Sequence, residues 1–206
     1  MLLAIILITF FVSLKGFNDL KFFDKYKFNV KSIINGEKYR MFSSALLHVD
    51  FNHLFFNLFT LYVFSSSIIT KVGDFYYLAI YILSLYFGNY YTLQLYKKNH
   101  YYSAAGASGA VTGIVYSSIL LFPEMKLVFI FLPIPLPSYL IGVGYIIYSI
   151  YGMKKNNDNI GHSAHLGGAI AGILLTIIIE PSILIEQTWL VILLISPFIL
   201  LKYLKK

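Results

Sequence analysis

The sequence predicts an all-α polytopic membrane protein, because it is strongly apolar and its apolar residues fall into long continuous segments. Of its 206 residues, 58% are hydrophobic and only 12% are charged, and the mean hydropathy is +0.73. A soluble domain carries about 25% charged residues, so this chain has too few to cover a compact surface in water. The apolar runs are continuous rather than alternating, which favours helices over a closed barrel, the other structure that lipid tolerates.

Seven spanning helices are expected, and together they form a bundle of six plus a seventh C-terminal transmembrane helix. A span requires about 20 residues, so the first segment is short, although Lys15 can snorkel to extend it. That segment lacks the basic leader and the cleavage site of a signal peptide. We expect a single domain over residues 1–206, with its core at 1–180 and the additional helix at 183–203. The expected spans lie near residues 2–17, 50–69, 75–95, 104–122, 135–151, 162–179 and 183–201.

Two connections between these segments stand out. The stretch from Gly16 to Leu47 is hydrophilic but rich in Phe, Tyr and Lys, a composition typical of a segment at the headgroup level. The stretch from Lys126 to Pro137 contains three prolines, which prevent regular helix. We expect an interfacial loop there, leading into the fifth helix.

The charge and cysteine content narrow the possible partners. The net charge of +7 lies in the connections between apolar segments, and no nucleic-acid-binding motif accompanies it. We therefore expect no nucleic acid partner and interpret these residues as loop charges beside a lipid bilayer. The sequence contains no cysteine, which excludes disulfides, cysteine-ligated zinc and a thiol nucleophile.

A serine between glycines opens the fourth apolar segment, in the sequence GASGA at residues 106–110. Ser108 would lie in the first helical turn, where backbone N–H groups lack intrahelical partners and the helix dipole favours negative charge. An oxyanion formed on attack by Ser108 could be held by that residue's own N–H, and the adjacent glycines would let a substrate backbone approach. The alternative is a packing face of small residues, since Gly109 and Gly113 form a GxxxG pair.

A histidine opens the sixth apolar segment. Gly168 and Gly172 follow His165 at +3 and +7, so all three share one helical face. That face could pack directly on the glycines of the fourth segment and bring His165 to Ser108 as the base of a nucleophile. The alternative, a histidine bonded to a backbone carbonyl, is less favoured because the two patterns occur together.

A second pair of polar side chains lies on the segment at 50–69. His53 and Asn57 are four residues apart, hence on one helical face, and both can donate hydrogen bonds to an oxyanion. The alternative is a polar contact between helices, a common use of Asn in membranes. Since no acid falls inside a span near these residues, a Ser–His dyad is simpler than a triad.

A metal site is the rival interpretation of the histidines. His162 and His165 are three residues apart and could share a metal with His53. A hydrolytic zinc also requires a general base, and the sequence contains no H-E-x-x-H motif. We therefore expect neither a metal nor a cofactor, and we interpret His162 as an interfacial histidine.

Three motifs in this order resemble the rhomboid family of intramembrane serine proteases: H-x3-N at residues 53–57, G-x-S-G at 106–109 and A-H-x2-G-x3-G at 164–172. The resemblance covers the chain from the first to the sixth span. It implies a rhomboid-like six-helix bundle that binds transmembrane protein substrates. It also implies a serine endopeptidase that cleaves a transmembrane helix near a small residue, where the helix can unwind.

The resemblance also implies a role for each polar residue of the site. Ser108 is the nucleophile and His165 its general base. The oxyanion hole is formed by His53, Asn57 and the N–H of Ser108. At Thr112, four residues after the serine, many family members carry Tyr or Phe that stacks on the histidine. The loss of that stack is expected to leave His165 less fixed.

The first connection carries a further resemblance. Glu37, Tyr39 and Arg40 are similar to the first-loop motif of the family, with Tyr39 in place of the usual Trp, and we expect Tyr39 and Arg40 to anchor the loop.

Two other functions are compatible with the sequence: a catalytically inactive rhomboid-like protein that binds membrane proteins, and a small transporter or channel. We expect a multi-pass protein of the cell membrane. The resemblance places the active-site side away from the cytoplasm, whereas that side carries 14 Lys and Arg against two on the other. The positive-inside rule therefore disagrees, and we favour the orientation of the family.

Overall fold

The computed structural model describes residues 1–129, 132–155 and 160–203, and it is mostly helical, as predicted. Two short antiparallel strand pairs accompany the helices. The helices in chain order are α1 Leu2–Asn18, α2 Leu20–Tyr26, α3 Val30–Ile34, α4 Arg40–Ser43, α5 Phe51–Leu95, α6 Ser108–Leu121, α7 Ser138–Lys155, α8 His162–Ile179, α9 Ile183–Glu186 and α10 Thr188–Ile195, with 3₁₀ turns at Ser44–Leu46 and Ser196–Tyr203. The strands are β1 Phe28–Asn29, β2 Ser103–Ala104, β3 Lys126–Phe129 and β4 Leu132–Pro137.

Among the described residues, α5 and α8 are long and apolar enough to cross a membrane, judged by length and composition. The helix α5 is interrupted at Gly73, whose φ of 85° and ψ of 166° are non-helical. Only glycine adopts such a φ readily, so the chain can turn there and return. The first arm of α5 (residues 51–72) and the second arm (residues 74–95) correspond to the second and third predicted segments. A hydrogen bond of 2.9 Å from Ser65 Oγ to the hydroxyl of Tyr77 joins the two arms.

The core of the bundle is formed by α5, α6 and α8, which pack on one another through glycines. A Cβ on Gly167 of α8 would lie 2.9 Å from the Cα of Gly88 in the second arm. A Cβ on Gly172 would collide with the backbone of Gly113 in α6. Backbones approach this closely only where side chains are absent, which is how helices associate in lipid.

Two predicted segments differ from the structure. Residues 126–137 were expected to be a loop, but β3 and β4 form an antiparallel hairpin that pairs Lys126 with Pro137 and Leu127 with Leu136. The prolines do prevent helix, yet a two-stranded hairpin has only edges, where proline is tolerated. The predicted single helix at 183–203 is instead α9, α10 and a 3₁₀ turn, and Pro197 near the start of that turn lacks the N–H that a continuing α-helix needs.

The hydrophilic connection folds against the end of the bundle that carries the predicted site residues. Its strand β1 pairs with β2, only a few residues before Ser108. The buried guanidinium of Arg40 donates from Nη1 to the carbonyls of Asp24 and Lys27, at 2.7 and 2.9 Å, and from Nε to Glu37 at 2.6 Å. The bond from Arg40 holds the pKa of the Glu37 carboxyl below its usual value. This cluster fixes the connection beneath the loop that leads into α6.

Candidate active site

Ser108 is the first residue of α6, and it lines a cavity of about 1040 Å³. The loop before the serine is tied to the first connection, because Gly106 donates its N–H to the carbonyl of Ser44 at 3.0 Å. The side chains of His53, Asn57 and His165 line the same cavity as Ser108. The structure therefore brings all four predicted site residues to one end of the bundle.

The glycines around Ser108 also have a packing role. Gly106 has a φ of 141°, and a Cβ there would lie 2.6 Å from Cε1 of His53. A Cβ on Gly109 would lie 3.3 Å from the carbonyl oxygen of Ala164. The absence of a Cβ at both positions lets His53 and α8 approach the serine. Gly106 also lines the cavity, and the approach of a substrate backbone there stays a prediction.

His165 lies in the first turns of α8 and is buried, with 6% of its surface exposed. The helix is brought to α6 by Gly168, on which a Cβ would collide with the carbonyl of Gly109. That contact lies next to Ser108 along α6 and one turn beyond His165 along α8, and both side chains line the same cavity.

The expectation that His165 is poorly fixed is wrong, because another helix supplies an aromatic ring. Tyr145 of α7 stacks on the imidazole, with ring centroids 5.5 Å apart and planes at 29°. Its hydroxyl also lies 2.9 Å from Nδ1 of His165. The hydroxyl of Thr112 donates a hydrogen bond to the backbone carbonyl of Ser108 at 2.7 Å, within the first turn of α6.

The predicted oxyanion donors lie in the first two turns of α5. The backbone N–H of His53 is capped by Asp50 at 2.7 Å, which fixes the start of the helix. The amide of Asn57 donates from Nδ2 to the carbonyl of His53 at 2.9 Å. That nitrogen carries a second hydrogen, which is available for a ligand in the cavity.

A further histidine, which the sequence analysis did not single out, ties the site to α1. His48 is fully buried in the loop before α5, and its Nδ1 lies 2.9 Å from Oγ of Ser13. That hydroxyl donates to the carbonyl of Leu46, so its oxygen accepts from His48. Nε2 of His48 then accepts from the N–H of Ala107 at 3.4 Å, one residue before the serine. Burial, with a smaller contribution from nearby His53, lowers the pKa of His48 to about 3. The carboxylate of Asp50 acts in the opposite direction and raises the pKa.

We expect acid to destabilise the protein through His48. Its pKa in the folded state lies below the unfolded value of 6.5, so its contribution is fully present above pH 6.5 and declines as the pH falls toward 3. The variant His48→Ala should unfold more easily at pH 7.5, by about 1–3 kcal/mol, because the N–H of Ala107 loses its partner.

Thermal melting in detergent between pH 7.5 and 5 measures both effects. His48→Ala should show a flatter decline than the parent chain over that range. The matched control is His100→Ala, at an exposed position, which should leave the decline unchanged. An equally steep decline in His48→Ala would contradict the assignment.

The alternative of a metal site finds no support among the described residues, where no cluster of three or more His, Cys, Asp or Glu could hold a metal ion. His162, which we interpreted as an interfacial histidine, is buried within the protein, with 3% of its surface exposed. Its ring packs edge-on against Tyr148, and Gly152 makes room for it. The neighbouring helix α7, rather than the position of His162 at a helix start, determines this burial.

The fold and the site define a helical bundle with a serine and a histidine at the starts of two closely packed helices, facing one cavity. The sequence profile of the Rhomboid domain matches residues 35–182, more than half of the chain. The chain therefore belongs to the rhomboid family, and this assignment places it among membrane proteins.

Three relatives illustrate the similarity. The chain is 30% identical to "RHOMBOID-like protein 12, mitochondrial" of Arabidopsis thaliana, over 77% of this chain and 52% of the relative. It is 27% identical to "Rhomboid protein 1, mitochondrial" of Saccharomyces cerevisiae, over 75% and 45%. It is 29% identical to "Putative rhomboid protease YdcA" of Bacillus subtilis, over 70% and 68%. The chain spans about half the length of the two mitochondrial relatives, and their location does not support the expected cell membrane.

Proposed function

We propose that this protein is an intramembrane serine endopeptidase that cleaves transmembrane segments of other membrane proteins through a dyad of Ser108 and His165. The observation that carries the proposal is that Ser108, His165, His53 and Asn57, from three helices, line one cavity. The whole chain, residues 1–206, serves as the membrane domain, with α1 to α8 as its core.

The chemistry begins with attack of Ser108 Oγ on the carbonyl carbon of the scissile peptide bond, while Nε2 of His165 takes the hydroxyl proton. The tetrahedral intermediate collapses as the C–N bond breaks, and His165 returns the proton to the leaving amine. Water then attacks the acyl-enzyme with His165 again acting as base, which releases the second product and restores the serine. These are the roles of a serine nucleophile and its histidine base.

The negative oxygen of the tetrahedral intermediate has three candidate donors. The N–H of Ser108 lies in the first turn of α6, where it has no intrahelical partner and the dipole favours negative charge. The side chains of His53 and Asn57 line the cavity beside it. Donors that are fixed before the reaction stabilise an oxyanion most strongly in a site with little water.

The oxyanion donors are expected to be partly redundant. Loss of one such donor costs roughly 10²–10³ in rate, so Asn57→Ala should retain more activity than Ser108→Ala. The variant with both His53→Ala and Asn57→Ala should be slower than either single change. Turnover of a model transmembrane substrate in detergent measures the series. A double variant as fast as the parent chain would remove both side chains from the mechanism.

Covalent labelling tests the proposed function directly. A fluorophosphonate or isocoumarin probe should label the detergent-solubilised protein at Ser108, and Ser108→Ala should abolish that label. A correctly folded protein that neither labels nor cleaves would instead be an inactive rhomboid-like protein that binds membrane proteins.

The orientation of the site is tested with single cysteines, which the natural absence of cysteine makes simple. Asn157, a suitable position by sequence, lies outside the described residues. Tyr101 is a better one, because it is 93% exposed in the turn between α5 and β2 on the site side. We expect a membrane-impermeant maleimide to label Tyr101→Cys in intact cells of an expression host that inserts the protein in its cell membrane. Glu124→Cys, at the other end of the bundle, should be labelled only after lysis. The reverse pattern would show that the positive-inside rule had predicted correctly.

A further inference from the structure

We propose that Tyr145 positions His165 for proton transfer, by accepting a hydrogen bond from Nδ1–H, so that Nε2 is the ring nitrogen that receives the proton of Ser108. The inference rests on the proposed function and assigns a role to a residue that carries none of the family motifs. Its basis is the contact of 2.9 Å between the Tyr145 hydroxyl and Nδ1, together with the stacked rings.

The direction of the bond follows from the proposed role of His165. If Nε2 receives the proton of Ser108, the neutral imidazole carries its hydrogen on Nδ1, and Nδ1 donates to the Tyr145 hydroxyl 2.9 Å away.

This arrangement selects one tautomer of His165. In neutral imidazole one ring nitrogen is a donor and the other an acceptor, and the partner of the first decides which. With Nδ1 protonated, the lone pair lies on Nε2, as a base for Ser108 requires. In soluble serine proteases a buried carboxylate holds the imidazole in this state. A phenol can do so without placing a charge in an apolar cavity, where an unpaired charge is expensive.

The stack and the bond both come from α7, whereas Ser108 and His165 lie on α6 and α8. The contact between α6 and α8 is set by backbone against Gly168 and Gly109, so it has little freedom. The ring of His165 can still rotate about its side-chain torsions. Tyr145 restricts that rotation from α7, a third helix. The side chain of Thr112 on α6 is too small to do so.

The experiment compares Tyr145→Phe, which keeps the ring and removes the hydroxyl, with Tyr151→Phe as the matched control on the exposed side of the same helix. We expect Tyr145→Phe to lower kcat about tenfold, the effect of one hydrogen bond, with KM within about twofold of the parent chain. The rate of probe labelling at Ser108 should fall by the same factor. Tyr151→Phe should change neither, and it should melt at the temperature of the parent.

Nitrogen NMR of the protein with ¹⁵N-labelled histidine reads the tautomer without any turnover. The shift of each ring nitrogen reports whether it carries a proton, and the His165 signals are identified by their loss in His165→Gln. We expect Nδ1 to be protonated in the parent chain and Tyr145→Phe to shift the population toward the other tautomer. An unprotonated Nδ1 in the parent, or an unchanged spectrum and kcat in Tyr145→Phe, would overturn the inference. If the parent chain neither cleaves substrate nor reacts with the probe, the proposed function fails. The spectrum still shows whether Nδ1 of His165 carries the proton and donates to Tyr145.

Discussion

Ser108→Ala is expected to reduce cleavage of a model transmembrane substrate to the background rate, and His165→Ala to do the same. The serine is the nucleophile that the proposed chemistry requires, and without the imidazole its hydroxyl remains protonated and weakly reactive. In a comparable serine protease, loss of either residue lowers kcat by about 10⁶. The measurement is the initial rate of cleavage in detergent micelles. A substrate that carries a fluorophore on each side of the scissile bond allows rates to be compared over several orders of magnitude.

The two residues act as a unit, so their effects should not add. We expect the variant with both changes to be no slower than either single variant. Ser66→Ala, at an exposed position on the first arm of α5, is the matched control and should cleave at the parent rate. Retained turnover in Ser108→Ala would exclude the serine mechanism.

Gly168→Val is expected to abolish activity and to lower thermal stability at the same time. Even a single Cβ at this position would collide with the carbonyl of Gly109, and backbone cannot move aside as a flexible side chain can. Overpacking of a tight interface costs about 1–3 kcal/mol, and this site lies at the upper end of that range. To relieve this collision, α8 must move away from α6. That movement separates His165 from Ser108.

Gly144 provides the matched control for this variant. It lies in α7, and a Cβ there would have nothing within 4 Å. Gly144→Val should therefore melt and cleave like the parent chain, which shows that valine in a helix is not itself the cause. Full activity in Gly168→Val would mean that α6 and α8 do not meet at this face. Melting curves and initial rates on the same preparations give both readouts.

The sequence by itself determined the class of fold and most of the helices. Long apolar runs must be helical wherever lipid is the solvent, and three prolines marked a connection that cannot be regular helix. The spacing of the glycines after His165 predicted a smooth helical face, because such a face depends only on the period of the helix. These features are local, which is why one chain without coordinates is enough to see them.

The tertiary structure decided which helix supplies each contact at the site. Tyr145 is one of 18 tyrosines, and nothing around it in the sequence indicates that its ring stacks on His165. His48 was visible only as a histidine near a helix start, and its bond to Ala107 depends on how the loop before α5 meets the loop before α6. The contact of Gly106 with His53 likewise depends on how α5 packs against the loop before α6.

The division between the two sources has a physical reason. Helix type and helix ends follow from hydrogen bonds and side chains within a few residues, so the sequence carries them directly. Partners across the bundle follow from how helices rotate and cross, and that depends on every packed surface at once. The sequence thus determined a helical membrane protein with a serine, two histidines and an asparagine at helix starts. Only the packing of α5, α6, α7 and α8 decided that these residues face one cavity, and that a tyrosine from α7 holds the imidazole in place.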